Sequence, residues 1–326
     1  MAANHTTGPA VVVAAPPGEL TAFDNAKRFL RTKPLGTAGA IILVLMVVVA
    51  IFAPSIAPHD PYSIRQDKLF IAPFSSAEFI LGTDDMGRDL ASRLIYGARI
   101  SLYVGLLSTL LGSVVGAFLG LAGGYWGGWI DNIIQRFMDI LLAFPMLVLA
   151  MAVVASLGPS SNNVIVAIAA VMLPRSARVV RSSTLSIKEM LYVEAAKVTG
   201  CSNWRISLRH VLPNCLSPFI ILVTAQLGGA ILIEASLSFL GLGVPPPEPS
   251  WGAMLTGAAR FYVYKAPWMA IFPGVAISLA VFGFNLFGDG LRDILDPRLR
   301  EERGKGGERK GLAVSEEVKH HRREST

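Results

Sequence analysis

The 326 residues are 52% hydrophobic and only 16% charged, with a formal net charge of +6 and two cysteines. Soluble domains carry roughly 25% charged residues. This deficit, with a mean hydropathy of +0.52, argues against a water-soluble enzyme or binding domain. The apolar residues fall in six blocks, 39–56, 100–121, 137–157, 164–180, 218–240 and 268–287, each near the ~20 residues that a helix needs to cross a bilayer. They lack the alternation of barrel strands. The expected fold class is all-α: a polytopic membrane protein with six transmembrane helices, organised as an amino-terminal tail (1–36), a membrane domain (37–297) and a carboxy-terminal tail (298–326).

In chain order, residues 1–20 are rich in Ala, Pro, Gly and Val, lack the basic start of a secretory signal and read as a disordered tail. Residues 21–33 set Phe23, Phe29 and Leu30 beside Lys27, Arg28, Arg31 and Lys33. That pattern suits either a short interfacial helix or a basic flank that orients the first span. The outer segment, 57–98, is polar enough to be structured, with Thr83 or Asp84 capping a helix from Asp85 toward Tyr96. Asp84, Asp85 and Asp89 lack calcium-loop spacing and read as helix-start acids. Along the second span Ser108, Gly112, Gly116, Gly120 and Gly124 recur every fourth residue. This is a small face for close helix packing, or else one that slides during gating. The third run contains Pro145, and Asp139 stands three residues after Arg136, the spacing of an i,i+3 ion pair. The fourth and shortest contains Pro174. Pro145, Pro174 and Pro273 are expected to kink or end helices.

Residues 181–214 read as a helix–turn–helix hairpin between two spans. A helix over 186–199 would stop at Gly200 as C′. Ser202 would cap a second helix, 203–211, followed by Pro213. Trp204, Leu208 and Val211 share one face of it, Arg205 and Arg209 another. Ala195 and Ala196 offer a small patch to an approaching chain, and Glu194 a carboxylate. The blander alternative is an amphipathic loop that solubilises one membrane face. Its tether between spans argues against DNA recognition, so no nucleic-acid partner is expected. Cys201 and Cys215 do not form a CxxC pair and are expected to be free thiols.

The fifth span carries Glu234 with Ser236 and Ser238. An ionisable residue at depth is a candidate for the membrane path or gating, against a carboxylate satisfied at a helix interface. Segment 241–266 holds Pro245, Pro246, Pro247 and Pro249, an extended, stiff run, and Trp251, Tyr262 and Tyr264 suggest an interfacial belt. The final tail is charged and expected to be disordered, with His320 and His321 read as solvated rather than as metal ligands. Lys and Arg concentrate in both tails and in the hairpin, which places those parts in the cytoplasm.

Tyr192-Val193-Glu194-Ala195-Ala196-Lys197-Val198-Thr199-Gly200, followed by His210-Val211-Leu212-Pro213, resembles the EAA loop of bacterial ABC importer permeases, with His210 where the general pattern has Ile. Further matches are Leu81-Gly82-Thr83-Asp84 with Gly87-Arg88-Asp89, Ser236 to Gly243 followed by Trp251-Gly252, and Gly288 to Asp293 with Leu295-Asp296-Pro297. Together they resemble the C-type permease subunits of the dipeptide, oligopeptide and nickel importers, over residues 27–300. The resemblance implies an ATP-driven importer working by alternating access in the bacterial cytoplasmic membrane. It also implies a second, B-type permease, two ATPase subunits and an extracytoplasmic substrate-binding protein as partners. Glu194, Ala195, Ala196, Gly200 and Pro213 would carry coupling to the ATPase, with Trp204 and Arg205 on the same hairpin. Short peptides are the expected cargo, with nickel or another small solute as the alternative.

A Walker A loop is absent, since Gly304-Lys305 is followed by Gly306. ATP and Mg are therefore expected on partner ATPases, and no cofactor on this chain. Neither G-x-S-x-G nor H-E-x-x-H occurs, so no catalytic or metal-binding residue is expected. A secondary transporter would show an inverted repeat, and none is visible. A non-transporting scaffold is the other alternative.

Overall fold

The computed structural model describes residues 33–258 and 262–295. The expected interfacial helix and both disordered tails lie outside the described residues. The elements are α1 (Pro34–Ile51), α2 (Leu90–Trp126), α3 (Gly128–Leu142), α4 (Met146–Leu157), α5 (Ser161–Ile187), α6 (Leu191–Val198), α7 (Asn203–Ile206), α8 (Leu212–Phe239), α9 (Trp251–Gly257) and α10 (Trp268–Leu295). A one-turn helix, Ala53–Ile56, follows α1, and a π turn, Ser207–Val211, joins α7 to α8. Among the described residues there is no strand, only a single bridge between Thr83 and Asp89.

Side-chain contacts fix the topology. Lys33, which precedes α1, pairs with Asp293 near the end of α10, and Ser217 near the start of α8 donates to the Leu295 carbonyl. Tyr125 at the end of α2 donates to Asn203. Both described ends therefore share one end of the bundle, here the elbow end, with residues 188–211. At the far end the Trp251 indole donates to the Leu94 carbonyl, and that of Trp268 to the Thr83 carbonyl. The chain alternates between these ends six times.

Among the described residues five helices are long and apolar enough to span alone, and α3 with α4 forms a pair bent by 95°. The apolar run 137–157 is therefore two helices that meet at Pro145, where the sequence leads one to expect a kink or an end. Pro145 donates no backbone hydrogen bond and disfavours helical geometry at Phe144, so the chain breaks there and restarts. Pro174, in contrast, lies inside an unbroken α5, as Pro218 does in α8 and Pro273 in α10.

Helices α2 and α5 run parallel and form the spine. A Cβ on Gly112 would stand 2.4 Å from the Ala169 carbonyl oxygen, one on Gly116 2.5 Å from that of Leu173, and one on Gly120 2.2 Å from that of Ala177. Only hydrogen fits in that seam, so the four-residue repeat is a packing face. Two apolar cores flank it. Val104, Val154, Ile168 and Leu237 join α2, α4, α5 and α8, while Leu90, Ile231, Trp251 and Ile277 join α2, α8, α9 and α10.

Candidate coupling elbow and buried polar hub

The elbow begins later than the sequence suggests, because α5 continues through Arg181 to Ile187. Helix α6 then runs from Leu191 and ends as expected at Gly200, whose φ is +81°. The Gly200 N–H donates to the Lys197 carbonyl and the Cys201 N–H to that of Ala196, the two bonds of a Schellman stop. Ser202 caps α7 by accepting from the Arg205 N–H. Pro213 does not close a separate helix. The π turn restarts the ladder so that Pro213 falls in the first turn of α8, where its missing N–H leaves no helical bond unmade.

The elbow has two faces. Val193, Ala196, Ile206 and Val211 pack inward on Ala117, Leu121, Val180 and Cys215. Leu191, Glu194, Ala195 and Val198 lie outward at helical spacing, with Leu191 82% and Val198 87% exposed. Ala195 and Ala196 therefore do not form one patch. The expected Trp204–Leu208–Val211 face is corrected too. Val211 is buried, whereas Trp204 is 66% exposed and Leu208 also exposed, because the π turn rotates everything after Ile206. Trp204 rests edge-on against Trp126, ring centroids 4.8 Å apart. Glu194, Arg205 and Arg209 are exposed and enter no ion pair among the described residues.

Charged contacts brace the neighbouring helices. Arg181 grips Asp131 through Nε and Nη2, at 2.6 and 2.5 Å, and the Lys188 ammonium donates to the Gly124 carbonyl at 3.1 Å. Asp139 pairs with Arg178 of α5 at 2.6 Å. The expected i,i+3 pair with Arg136 is replaced by this interhelical one, which a single-helix reading of spacing does not contain. Leu191, Val198 and Arg181 were missed as site residues. Leu191 and Val198 flank Glu194 at i−3 and i+4, a signal available in the sequence.

At the far end, Asp84 and Thr83 do not start a helix. Gly87 is left-handed at φ +72°, and Asp84 accepts from the N–H groups of Met86 and Arg88 and from the Arg88 guanidinium at 2.7 Å. Asp89 is the cap, accepting from Ala91 and Ser92. Burial and the adjacent Asp84 push the Asp85 carboxyl up. Hydrogen bonds from Arg65 and Lys68 hold the Glu78 carboxyl low.

Glu234 is fully buried in α8, and its environment is a hub of hydroxyls. Oε2 accepts from Ser101 at 3.2 Å and Oε1 from Ser238 at 2.8 Å. Ser101 in turn receives the Trp251 N–H, and Ser238 receives the Ser250 hydroxyl. Ser250 also caps α9. The carboxyl thus ties α2, α8 and α9 together. Ser236 takes no part in the hub and donates to its own helix at Leu232. Trp251 is not part of an interfacial belt, since it is 2% exposed and packs on Gly97. Tyr264 is fully exposed.

Residues 112–301 match the family described as binding-protein-dependent transport system inner membrane component, and residues 21–75 match the N-terminal TM domain of oligopeptide transport permease C. The chain belongs to that transport family. It is the membrane permease subunit of a bacterial ABC importer, a multi-subunit assembly that includes an ATPase and a partner permease, and it is not itself an enzyme. The permease is 44% identical to the dipeptide transport system permease protein DppC of Alkalihalophilus pseudofirmus, over 85% of this chain and 90% of that one. It is 46% identical to the glutathione transport system permease protein GsiD of Pectobacterium atrosepticum, over 84% and 90%. It is 43% identical to the probable D,D-dipeptide transport system permease protein DdpC of Escherichia coli, over 86% and 94%. Among solved structures, a chain of the inward-facing MetNI methionine ABC transporter superposes with a TM-score of 0.51 at 20% identity, over 62% of the permease and 96% of that chain. That likeness concerns the fold.

Proposed function

We propose that the elbow, 188–211, is the surface on which an ATPase subunit docks, and that the permease passes short peptides inward by alternating access. The observation that carries this is the contrast between the elbow's two faces. Leu191, Glu194, Ala195, Val198 and Trp204 point outward, while Val193, Ala196, Ile206 and Val211 are locked into the helix bundle. A surface that is apolar outside and stiffly rooted transmits a push. Gly200 sets the turn, Arg205 supplies charge at its edge, and Pro213 carries the motion into α8. The basic bias of the elbow end supports a cytoplasmic position for it.

ATP and Mg belong to two ATPase subunits, a B-type permease completes the path, and an extracytoplasmic protein delivers cargo. Short peptides fit because the relatives above are named for dipeptides, D,D-dipeptides and glutathione. Glu234, with Ser238, acts as a far-end latch that holds α9 on the α2–α8 body and releases α9 when the path opens outward. Reconstitution of the whole assembly tests the reading. Glu194→Arg should leave ATP hydrolysis but abolish peptide uptake. Full uptake in this variant, or assembly without an ATPase at the elbow, would overturn it.

A further inference from the structure

A groove of about 170 Å³ lies between α2, α5 and α8, directly under the root of the elbow. Val114 and Phe118 form one wall, Leu212, Leu216 and Phe219 the other, and Val180 with Cys215 the floor. No polar atom reaches its surface. Apolar cavities of about 150 Å³ stay dry and accept hydrocarbon, so water, phosphate and peptide backbone are poor occupants. Phe118, Val114 and Leu216 at the rim are exposed, so the groove is open sideways along the helix bundle. Leu212 to Phe219 covers about 10 Å of α8 from its first residue, so the groove occupies the half of the bilayer nearest the elbow.

Charge supplies the second half of the argument. The elbow beyond the groove carries Lys197, Arg205 and Arg209, all exposed and without an ion pair among the described residues. No acid occurs between Ala195 and Ile233. Clustered cations beside a bilayer attract anionic headgroups.

We propose that the groove holds one acyl chain of an anionic phospholipid from the leaflet at the elbow end, with its phosphate toward the basic elbow. The bound chain fills space against the layer in which Ala117, Val180 and Cys215 meet Val193, Ala196 and Val211, and so stiffens the elbow's root. This site requires neither the peptide cargo nor the ATPase contact proposed above.

The test uses the complete transporter in nanodiscs containing phosphatidylglycerol or phosphatidylcholine with a photoactivatable diazirine in one chain. Phosphatidylglycerol adducts should map to the peptides holding Val114–Phe118 and Leu212–Phe219, and should exceed the phosphatidylcholine adducts several-fold. Ala117→Phe, which fills the groove, should lower them more than about fourfold, the factor for the burial of even one methylene denied. Leu216→Trp blocks the exposed rim without disturbing the core and should act alike, with assembly checked by gel filtration. Adducts spread evenly over α1, α2 and α10, or equal labelling by both lipids, would overturn the proposal. So would photocross-linking from a photoreactive side chain at position 216 to another subunit, because a protein helix would then occupy the groove.

Discussion

Gly200 separates backbone conformation from surface fit. Its φ of +81° lies in the left-handed region, and a Cβ added there meets no atom of this chain within 4 Å. Any cost of substitution within the permease is therefore conformational. An L residue forced into this region loses roughly 1–2 kcal/mol, and Asn is the side chain that tolerates it best. That shifts the turn against its alternatives by a factor of about 5–30. The Schellman bonds from Gly200 and Cys201 weaken in proportion, and the outward stripe of α6 loses its angle to α7. Peptide-stimulated ATPase activity and uptake should be measured for Asn, Ala and Val at position 200 in reconstituted transporter. Asn should remain near wild type, Ala should lose several-fold, and Val most. If the larger Asn is worse than Ala, contact with a partner governs the site. If all three match Gly, the turn does not set coupling. Either result refutes the reasoning.

Gly120→Ala places a methyl 2.2 Å from the Ala177 oxygen and should cost about 1–3 kcal/mol by overpacking. Gly229→Ala, whose nearest atom is the Met172 methyl at 4.0 Å, should be neutral or stabilising; melting of the purified assembly compares the two. Ser101→Ala strips one donor from Glu234 and the acceptor of the Trp251 N–H. It should cost about 1–3 kcal/mol and speed amide exchange in α9. The Glu78 carboxyl is held below its ordinary value, so the order it gives segment 57–89 is present above about pH 4.3 and lost as pH falls through the lowered value. Proteolysis of this segment should rise in acid in the wild type, and Glu78→Gln should show a smaller rise across that range.

The spans, the glycine face and the Gly200 stop were legible because each depends on local periodicity or on one backbone torsion. A break was expected at Pro145, Pro174 and Pro273 alike, but only Pro145 ends a helix, while Pro174 and Pro273, like Pro218, sit in unbroken ones. What separates them is the surrounding packing. The π turn at Ser207–Val211 was invisible to a 3.6-residue count, and it put Trp204 and Val211 on different faces. Asp139 and Trp251 failed for a common reason. Their partners, Arg178 and Gly97, are far away in sequence. The Asp89 cap lost to Thr83 and Asp84 in the sequence because any of these acids or hydroxyls can cap, and only the left-handed Gly87 delays the helix.

How a push at the elbow travels follows from what the elbow is bolted to. Its inward face meets α2 at Ala117 and Leu121, α5 at Val180 and α8 at Cys215, and the glycine seam leaves no slack between α2 and α5. At the other end the Glu234 hub ties α2 to α8 and α9. These helices are joined at both ends and close-packed between, so they respond to force as one body. The bent pair α3–α4 is held differently, by the Asp131–Arg181 and Asp139–Arg178 pairs at its elbow end and by Ala150 and Val154 in the core. Ion pairs, the exposed Asp139–Arg178 above all, re-form after a shift more readily than a glycine seam does. Motion within this subunit is therefore expected between the α2–α5–α8 body and α3. Spin labels on Ile133 and Leu119 should change separation through the ATP cycle, while labels on Leu119 and Val179 should not; a changing α2–α5 distance would refute the rigid spine.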